Sequence, residues 1–308
     1  MKILVTSNSF GKYSQEPLEK LKSAGYEVVF NHYHRMMEED EFIKELKDVD
    51  AVILSTEVVS KKVIDASTKL KMISRYGVGL DNVDLEYCKE KGIKVTVTKG
   101  GNSNAVAEYA IALMFAAMRG VCISAQCAKQ NVWKKITGMD ITGKTIGIVG
   151  LGAIGKEVAK KLSSFETTIL AYDTYYDEAF MEKYRIKKAS LDSVIKEADI
   201  LTLHAPSNGD KPLLSKEEFA IMKEHVVLIN TARASLIDQD ALMEALDNKK
   251  VYAAALDVHP HEPQFDERLF AYDNVILTPH NAAISREATD KASMMAVDNI
   301  LDYFHAHS

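Results

Sequence analysis

The chain has 308 residues, of which 47% are hydrophobic, enough for one large or two ordinary domains with full cores. A formal charge of −6 and the lack of a basic run argue against a nucleic-acid surface. The three cysteines, Cys88, Cys122 and Cys127, show neither metal-ligand spacing nor an even framework, so they read as buried thiols of a reducing cytosol.

Met1-Lys2-Ile3-Leu4-Val5 runs directly into a strand, and no signal peptide is expected. Residues 1–98 then alternate strands and helices. Lys2–Thr6, Glu27–Phe30, Ala51–Ser55, Lys71–Ser74 and Lys94–Thr96 read as strands, with helices at Pro17–Ala24, Glu38–Leu46, Lys61–Ser67 and Leu85–Lys91. Gly25 and Gly92 stand where helix C-caps belong. Such alternation implies a parallel sheet with right-handed crossovers. The polar break Lys99-Gly100-Gly101-Asn102 leads into an apolar helix with Ser103 or Asn104 as its cap. Glu108 interrupts that helix, which is shorter than the roughly 20 residues a membrane span needs, so no membrane partner is expected.

The stretch Lys144–Gly155 is the most informative. An apolar strand runs into Gly150-Leu151-Gly152-Ala153-Ile154-Gly155, a G-x-G-x-x-G turn, and then into a helix with Ile154, Val158, Ala159 and Leu162 on one face. The first glycine serves the tight turn, the second lets backbone approach a pyrophosphate, and the third lets the helix pack close. A second strand, Thr168–Tyr172, ends at Asp173, about 20 residues past the glycines, where a carboxylate accepts from the ribose hydroxyls and repels a 2′-phosphate. NAD is therefore the expected cofactor. Further strands are Asp199–Leu203, Val226–Asn230, Val251–Val258 and Asn274–Leu277.

After Asn281 a last helix starts at a Ser285 cap, with Ala288, Ala292, Met295, Ala296, Ile300 and Tyr303 as its apolar stripe. No strand follows it, so it is expected to pack on the first domain. The expected organisation is α/β, with two doubly wound parallel-sheet domains. Residues 1–101 with 282–308 form one and residues 102–281 the other, with a cofactor and a small substrate meeting in the cleft.

A nicotinamide cofactor carries the hydride, and the protein must add a substrate anchor and a proton donor. Arg233, after Val226–Asn230, offers a guanidinium that clamps a carboxylate through two bonds. Glu262 lies in the two-proline loop Asp257–Pro263, and His280 ends Thr278-Pro279-His280. A histidine beside a carboxylate is an acid–base candidate. His259, His261 and His280 with Glu262 also read as a metal cluster, but no H-E-x-x-H or cysteine pattern supports it, so no metal is expected.

Several segments together resemble the D-isomer-specific 2-hydroxyacid dehydrogenases, nearest the branch of phosphoglycerate dehydrogenases and hydroxypyruvate reductases. They are Arg75-Tyr76-Gly77-Val78-Gly79-Leu80-Asp81-Asn82-Val83-Asp84, Asn104–Glu108, the glycine turn, His204-Ala205-Pro206, Asn230–Arg233 and Thr278–His280. The resemblance covers nearly the whole chain. It implies a flavodoxin-like substrate domain and a Rossmann NAD domain, with Arg233, Glu262 and His280 as the catalytic set. It also implies that a substrate carboxylate is held at Gly77, Val78 and Gly79, whose freed backbone can form an anion-binding concavity. Around NAD it points to Val106, the turn Gly150, Gly152, Ala153, Ile154 and Gly155, then Asp173, His204, Pro206, Thr231, Ala232, Asp257 and His280. The stretch Gly120–Asp140, with Trp133, would be the arm of a homodimer.

Lys99, Glu166, Ala234 and Ser235 depart from the family pattern, the first where proline is frequent and the others in turns that usually carry glycine. Leu54–Glu57 lacks the base that phosphoglycerate-type members place there, and Glu57 would oppose a phosphate. Small 2-oxo or 2-hydroxy acids of the hydroxypyruvate or glyoxylate kind are the expected substrates of a cytoplasmic enzyme, with 3-phosphoglycerate-type acids a further option. Two other readings remain at this point. One is a non-enzymatic NAD sensor, of the kind seen in corepressors that resemble the family. The other is a formate dehydrogenase, whose members carry glutamine where this chain has Glu262.

Overall fold

A computed structural model describes residues 1–207, 209 and 211–307. The chain divides into two compact units, Met1–Asn102 with Ile284–Ser308, and Ser103–Ala283.

The first unit is a five-stranded parallel sheet of β1 (Lys2–Val5), β2 (Glu27–Phe30), β3 (Ala51–Leu54), β4 (Met72–Arg75) and β5 (Lys94–Val97), in the order β2-β1-β3-β4-β5. This is the flavodoxin-like order. Side chains alternate across each strand, so Leu4, Val52, Leu54 and Ile73 join one core with the helices Glu39–Leu46, Lys61–Ala66 and Leu85–Glu90. Ile3, Val5, Ala51, Ile53 and Met72 join a core on the opposite face with Ala296, Val297, Ile300 and Phe304 of the helix Arg286–Ala306. That helix is capped by Ser285, whose hydroxyl accepts from Ala288 N. Its buried stripe includes Val297, Leu301 and Phe304, while Met295 and Tyr303 are only half-buried. Gly25 and Gly92 adopt φ values of +80° and +72° just past their helices.

The second unit holds β6 (Thr145–Val149), β7 (Thr168–Tyr172), β8 (Ile186–Lys188), β9 (Ile200–Leu203), β10 (Val226–Asn230), β11 (Val251–Leu256) and β12 (Val275–Leu277). All pair in parallel in the order β12-β11-β10-β9-β6-β7-β8. Strand order reverses between β6 and β9, the topological switch point of a Rossmann sheet. β8 is too short and polar to read from periodicity. The apolar helix begins at Ser103 itself, so neither Ser103 nor Asn104 is its cap. It carries nine buried residues, including Ala107, Ala110, Met114 and Met118, and covers one sheet face. At Gly120 the chain bends by 66° into the helix Val121–Lys129. Among the described residues, no single helix is long and apolar enough to cross a membrane.

Cys88 is buried, and burial pushes its thiol up to about 11. Cys122 is exposed and Cys127 half-buried, against the expectation of buried thiols, because Val121–Lys129 buries none of its residues in this chain. Glu166 adopts φ +56°, a left-handed conformation that explains why glycine is usual there. Ala234 and Ser235 instead open a right-handed 3-10 turn, Ala234–Leu236, that needs no glycine.

Candidate active site

The glycine turn follows β6 at the switch point. Gly150 has φ +95°, and a Cβ there would meet His204 O at 2.6 Å. A Cβ on Gly155 would meet Gly150 O at 2.0 Å, so the helix Ala153–Leu162 can close on the turn only without a side chain. A Cβ on Gly152 would meet nothing within 4 Å. The protein itself therefore does not require that glycine, and the open space over it fits a backbone kept bare for a ligand. Just beyond it the helix presents the free N–H groups of its first turn, a site suited to an anion.

Asp173, half-buried at the end of β7, ties the turn to its neighbour strand. One carboxylate oxygen accepts from Leu151 N at 2.5 Å, and the other accepts from Thr174 N at 2.6 Å and Tyr175 N at 3.2 Å. A carboxylate has about four lone-pair sites, so the Leu151-bound oxygen retains acceptor capacity.

Two orphaned buried polar atoms stand after adjacent strands. His204 Nδ1, after β9, and Thr231 Oγ1, after β10, have no hydrogen-bond partner among the described residues. Burial pulls the His204 imidazole down to about 4, so it is neutral at physiological pH, and its Nε2 pairs with Thr202 Oγ1 at 2.9 Å. Unsatisfied buried polar atoms at the carboxyl ends of strands fit a ligand that completes them. The donor set, the bare glycine and the helix terminus together fit a dinucleotide. Among the other expected contacts, Val106 is buried at 4% exposure, Ile154 and Ala232 are half-buried, and Pro206 is exposed.

Arg233, Glu262 and His280 follow β10, β11 and β12 in turn. Buried Asn230 shapes the Arg233 turn, accepting from Ala232 N at 3.0 Å and donating to Arg233 O at 2.8 Å. Sequence reasoning overlooked it, although an asparagine closing a strand ahead of a turn is the signal for such an Asx motif. His280 Nδ1 lies 2.8 Å from Glu262 Oε2. Glu262 Oε1 accepts from His259 N at 3.0 Å.

The hydrogen bond to Glu262 raises the His280 pKa from its ordinary value. Burial opposes that rise, as does Arg233, while the charges of Glu262 and Asp257 reinforce it. Burial pushes the Glu262 carboxyl up, but its bonds from His280 and His259 N outweigh this and leave it below the usual glutamate value. The His280 side chain is 51% exposed, and its Nε2 has no hydrogen-bond partner among the described residues. The pair can therefore accept or deliver a proton at Nε2 while Nδ1 stays on Glu262.

His280 itself adopts φ +51°, uncommon for a residue with a side chain. Asp257 holds it there. That carboxylate has 0% exposure and accepts from Thr278 Oγ1 at 2.6 Å, Asn281 N at 2.8 Å and Ala282 N at 2.8 Å. Expected as a cofactor contact, Asp257 directs both oxygens at the loop that carries His280. Among the described residues, no three His, Cys, Asp or Glu side chains converge as metal ligands.

In the first unit, Gly77 has φ +145°, and the Arg75 guanidinium donates to Leu54 O, Tyr76 O and Gly79 O. The N–H groups of Val78 and Gly79 have no partner among the described residues, and Val78 is 45% exposed. Glu57 is 1% exposed and accepts from Thr6 Oγ1 at 2.5 Å, so its charge is turned inward rather than presented against a phosphate.

These features define a class, a dinucleotide-binding α/β protein with an acid–base pair beside its cofactor strands. The profile of the D-isomer specific 2-hydroxyacid dehydrogenase, NAD binding domain, matches residues 111–282. The chain belongs to the D-isomer specific 2-hydroxyacid dehydrogenase family, with NAD as its cofactor. It is 37% identical to a hydroxypyruvate reductase of Thermotoga maritima, over 92% of this chain and 95% of that protein. It is 36% identical to a D-3-phosphoglycerate dehydrogenase of Archaeoglobus fulgidus, over 98% of this chain but only 57% of that protein. The chain thus spans about half the length of such relatives. A solved structure from Thermus thermophilus, the TT0316 protein, matches with a TM-score of 0.89 at 32% identity, covering 99% of this chain and 97% of that one.

Proposed function

We propose that the protein interconverts a small, unphosphorylated D-2-hydroxy acid and its 2-oxo acid, using NAD rather than NADP. The observation that carries this reading is the 2.8 Å His280–Glu262 pair with a free Nε2. NAD supplies the hydride acceptor or donor. In reduction His280, held as imidazolium by Glu262, gives its Nε2 proton to the forming alkoxide. In oxidation the neutral ring takes that proton back. Arg233 polarises the carbonyl and orients the carboxylate. Glu262 speaks against the formate dehydrogenase reading, and the acid–base pair against a purely sensory one.

Asp173 supports NAD, since a 2′-phosphate would meet its carboxylate, and like-charge juxtaposition costs several kcal/mol. The lack of a base in Leu54–Glu57 supports an unphosphorylated acid such as hydroxypyruvate or glyoxylate. A panel of 2-oxo acids with NADH and NADPH tests both points. Equal efficiency with NADPH, or a preference for 3-phosphohydroxypyruvate, would overturn the corresponding assignment.

We further propose a homodimer through residues 120–140. The helix Val121–Lys129 buries no residue, Trp133 is 94% exposed, and a hollow of about 410 Å³ lined by Ala117, Ile123, Ile136, Leu246, Tyr252 and Ile276 adjoins it. An exposed apolar segment beside an apolar hollow suits a two-fold contact with a second copy. Light scattering that reports a monomer at micromolar concentration would contradict it. The three free thiols suit the cytoplasm, where they stay reduced.

A further inference from the structure

His259 lies three residues past β11 and is not needed by the chemistry above, yet it is built into the site. It is 7% exposed. Its backbone N–H donates to Glu262 Oε1 at 3.0 Å. Its ring stacks edge-on against Phe265, with centroids 4.6 Å apart and planes at 68°. Its Nε2 lies 2.8 Å from Thr278 O. A carbonyl only accepts, so Nε2 must carry the proton. Thr278 O also receives His280 N–H at 3.0 Å. One imidazole therefore joins the loop that carries Glu262 to the loop that carries His280. Nδ1 is buried with no partner among the described residues, so the ring's hydrogen bonding is carried by the Nε2 that faces Thr278 O.

We infer that His259 is a positioning residue, whose imidazole staples the Glu262 loop to Thr278 O and so sets the Glu262–His280 hydrogen bond. Resting on the acid–base reading above, this adds a support that acts through Glu262 and never touches substrate. A mere packing role would be met by any ring against Phe265. The staple needs the Nε2 donor as well.

The test separates these roles. His259→Phe keeps the ring and removes the donor, and His259→Gln restores an N–H of similar reach. The His280 midpoint is read by NMR in ¹³C-histidine-labelled protein without substrate, its signal assigned by its loss in His280→Gln. The groups that face His280 are Glu262, Asp257 and Arg233, and both His280 and His259 act on Glu262. Any charge that His259 carries is lost in both variants, so a shift present in His259→Phe and absent from His259→Gln reports geometry. The expected result is a wild-type midpoint above the ordinary histidine value, a fall toward that value in His259→Phe, and recovery in His259→Gln. Alongside it, kcat for 2-oxo acid reduction above neutral pH should drop several-fold in His259→Phe, with KM for NADH unchanged. A wild-type midpoint and kcat in His259→Phe would overturn the staple. An ordinary midpoint in the wild type would instead remove the Glu262–His280 pairing, and the staple with it. If His259→Phe does not fold, ¹⁵N–¹H couplings in the wild type give the His259 tautomer. Nε2–H supports the staple and Nδ1–H overturns it.

Discussion

Asp257→Asn isolates the carboxylate that holds the His280 loop. Asparagine has nearly the same shape, so packing is preserved while the hydrogen bonding and the charge that helps raise the His280 pKa change. Asp257 accepts three bonds, two on Oδ1 from Thr278 Oγ1 and Asn281 N, and one on Oδ2 from Ala282 N. The amide nitrogen must replace one oxygen, and on either side it then faces a backbone N–H, donor against donor. The milder choice is the Oδ2 side, where one bond is lost and two buried donors are left unpaired. Hydrogen bonds to charged groups contribute about 1.5–3 kcal/mol, and an unsatisfied buried group costs about 1–3 kcal/mol. With 0% exposure no water replaces the lost partner. The expected destabilisation is roughly 2–4 kcal/mol, which for a unit of this size lowers Tm by about 4–16 °C. Calorimetry that resolves the transition of residues 103–283 measures it, and kcat should fall with it, because His280 loses the restraint on its left-handed backbone. A loss below about 0.5 kcal/mol would refute the argument that this carboxylate fixes the loop.

Two further outcomes follow from the same geometry. Glu262→Gln removes the charge that raises the His280 pKa, so the high-pH limb of kcat/KM for reduction should move to lower pH. Asp173→Asn should leave that limb in place, and equal limbs in wild type and Glu262→Gln would break the pairing. His204 is neutral in the folded chain down to about pH 4, whereas a free histidine titrates near 6.5. The unfolded state therefore binds the extra proton first, and stability that is full above pH 6.5 is lost as pH falls toward 4. At about 1.4 kcal/mol per unit, this group accounts for on the order of 3 kcal/mol of that loss. Urea unfolding at pH 7 and pH 4.5 should show a smaller difference in His204→Asn than in the wild type.

Much of this was legible in the sequence, because each signal was local. Strand periodicity, the two C-cap glycines and the Ser285 cap each depend on a few neighbouring residues, and β2, β7 and β10 have the boundaries expected of them. Gly150 and Gly155 were legible because each answers a distinct steric demand within the protein, and Gly152 because the motif calls for bare backbone facing a ligand. The polar scaffolding around His280 was not legible. Asp257 and His259 lie on one loop and Thr278 on another, and nothing in their spacing says that one carboxylate will accept three donors or that one imidazole will bridge two loops. Glu57 read as a surface charge because its partner Thr6 is 51 residues away in the chain. The exposure of Cys122 was hidden for a related reason, since the apolar composition of Val121–Lys129 does not say whether its own chain will cover it.

The central claim is that hydride and proton are delivered to C2 and its oxygen by NADH and by the His280–Glu262 pair. The direct measurement incubates the protein with NADH deuterated at nicotinamide C4 and a small 2-oxo acid, then locates the label by NMR and resolves the product on a chiral column. The account predicts deuterium at C2 of the D-2-hydroxy acid, with turnover abolished in His280→Gln and its pH limb displaced in Glu262→Gln. Label absent from C2, an L product, or unimpaired turnover in His280→Gln would contradict it.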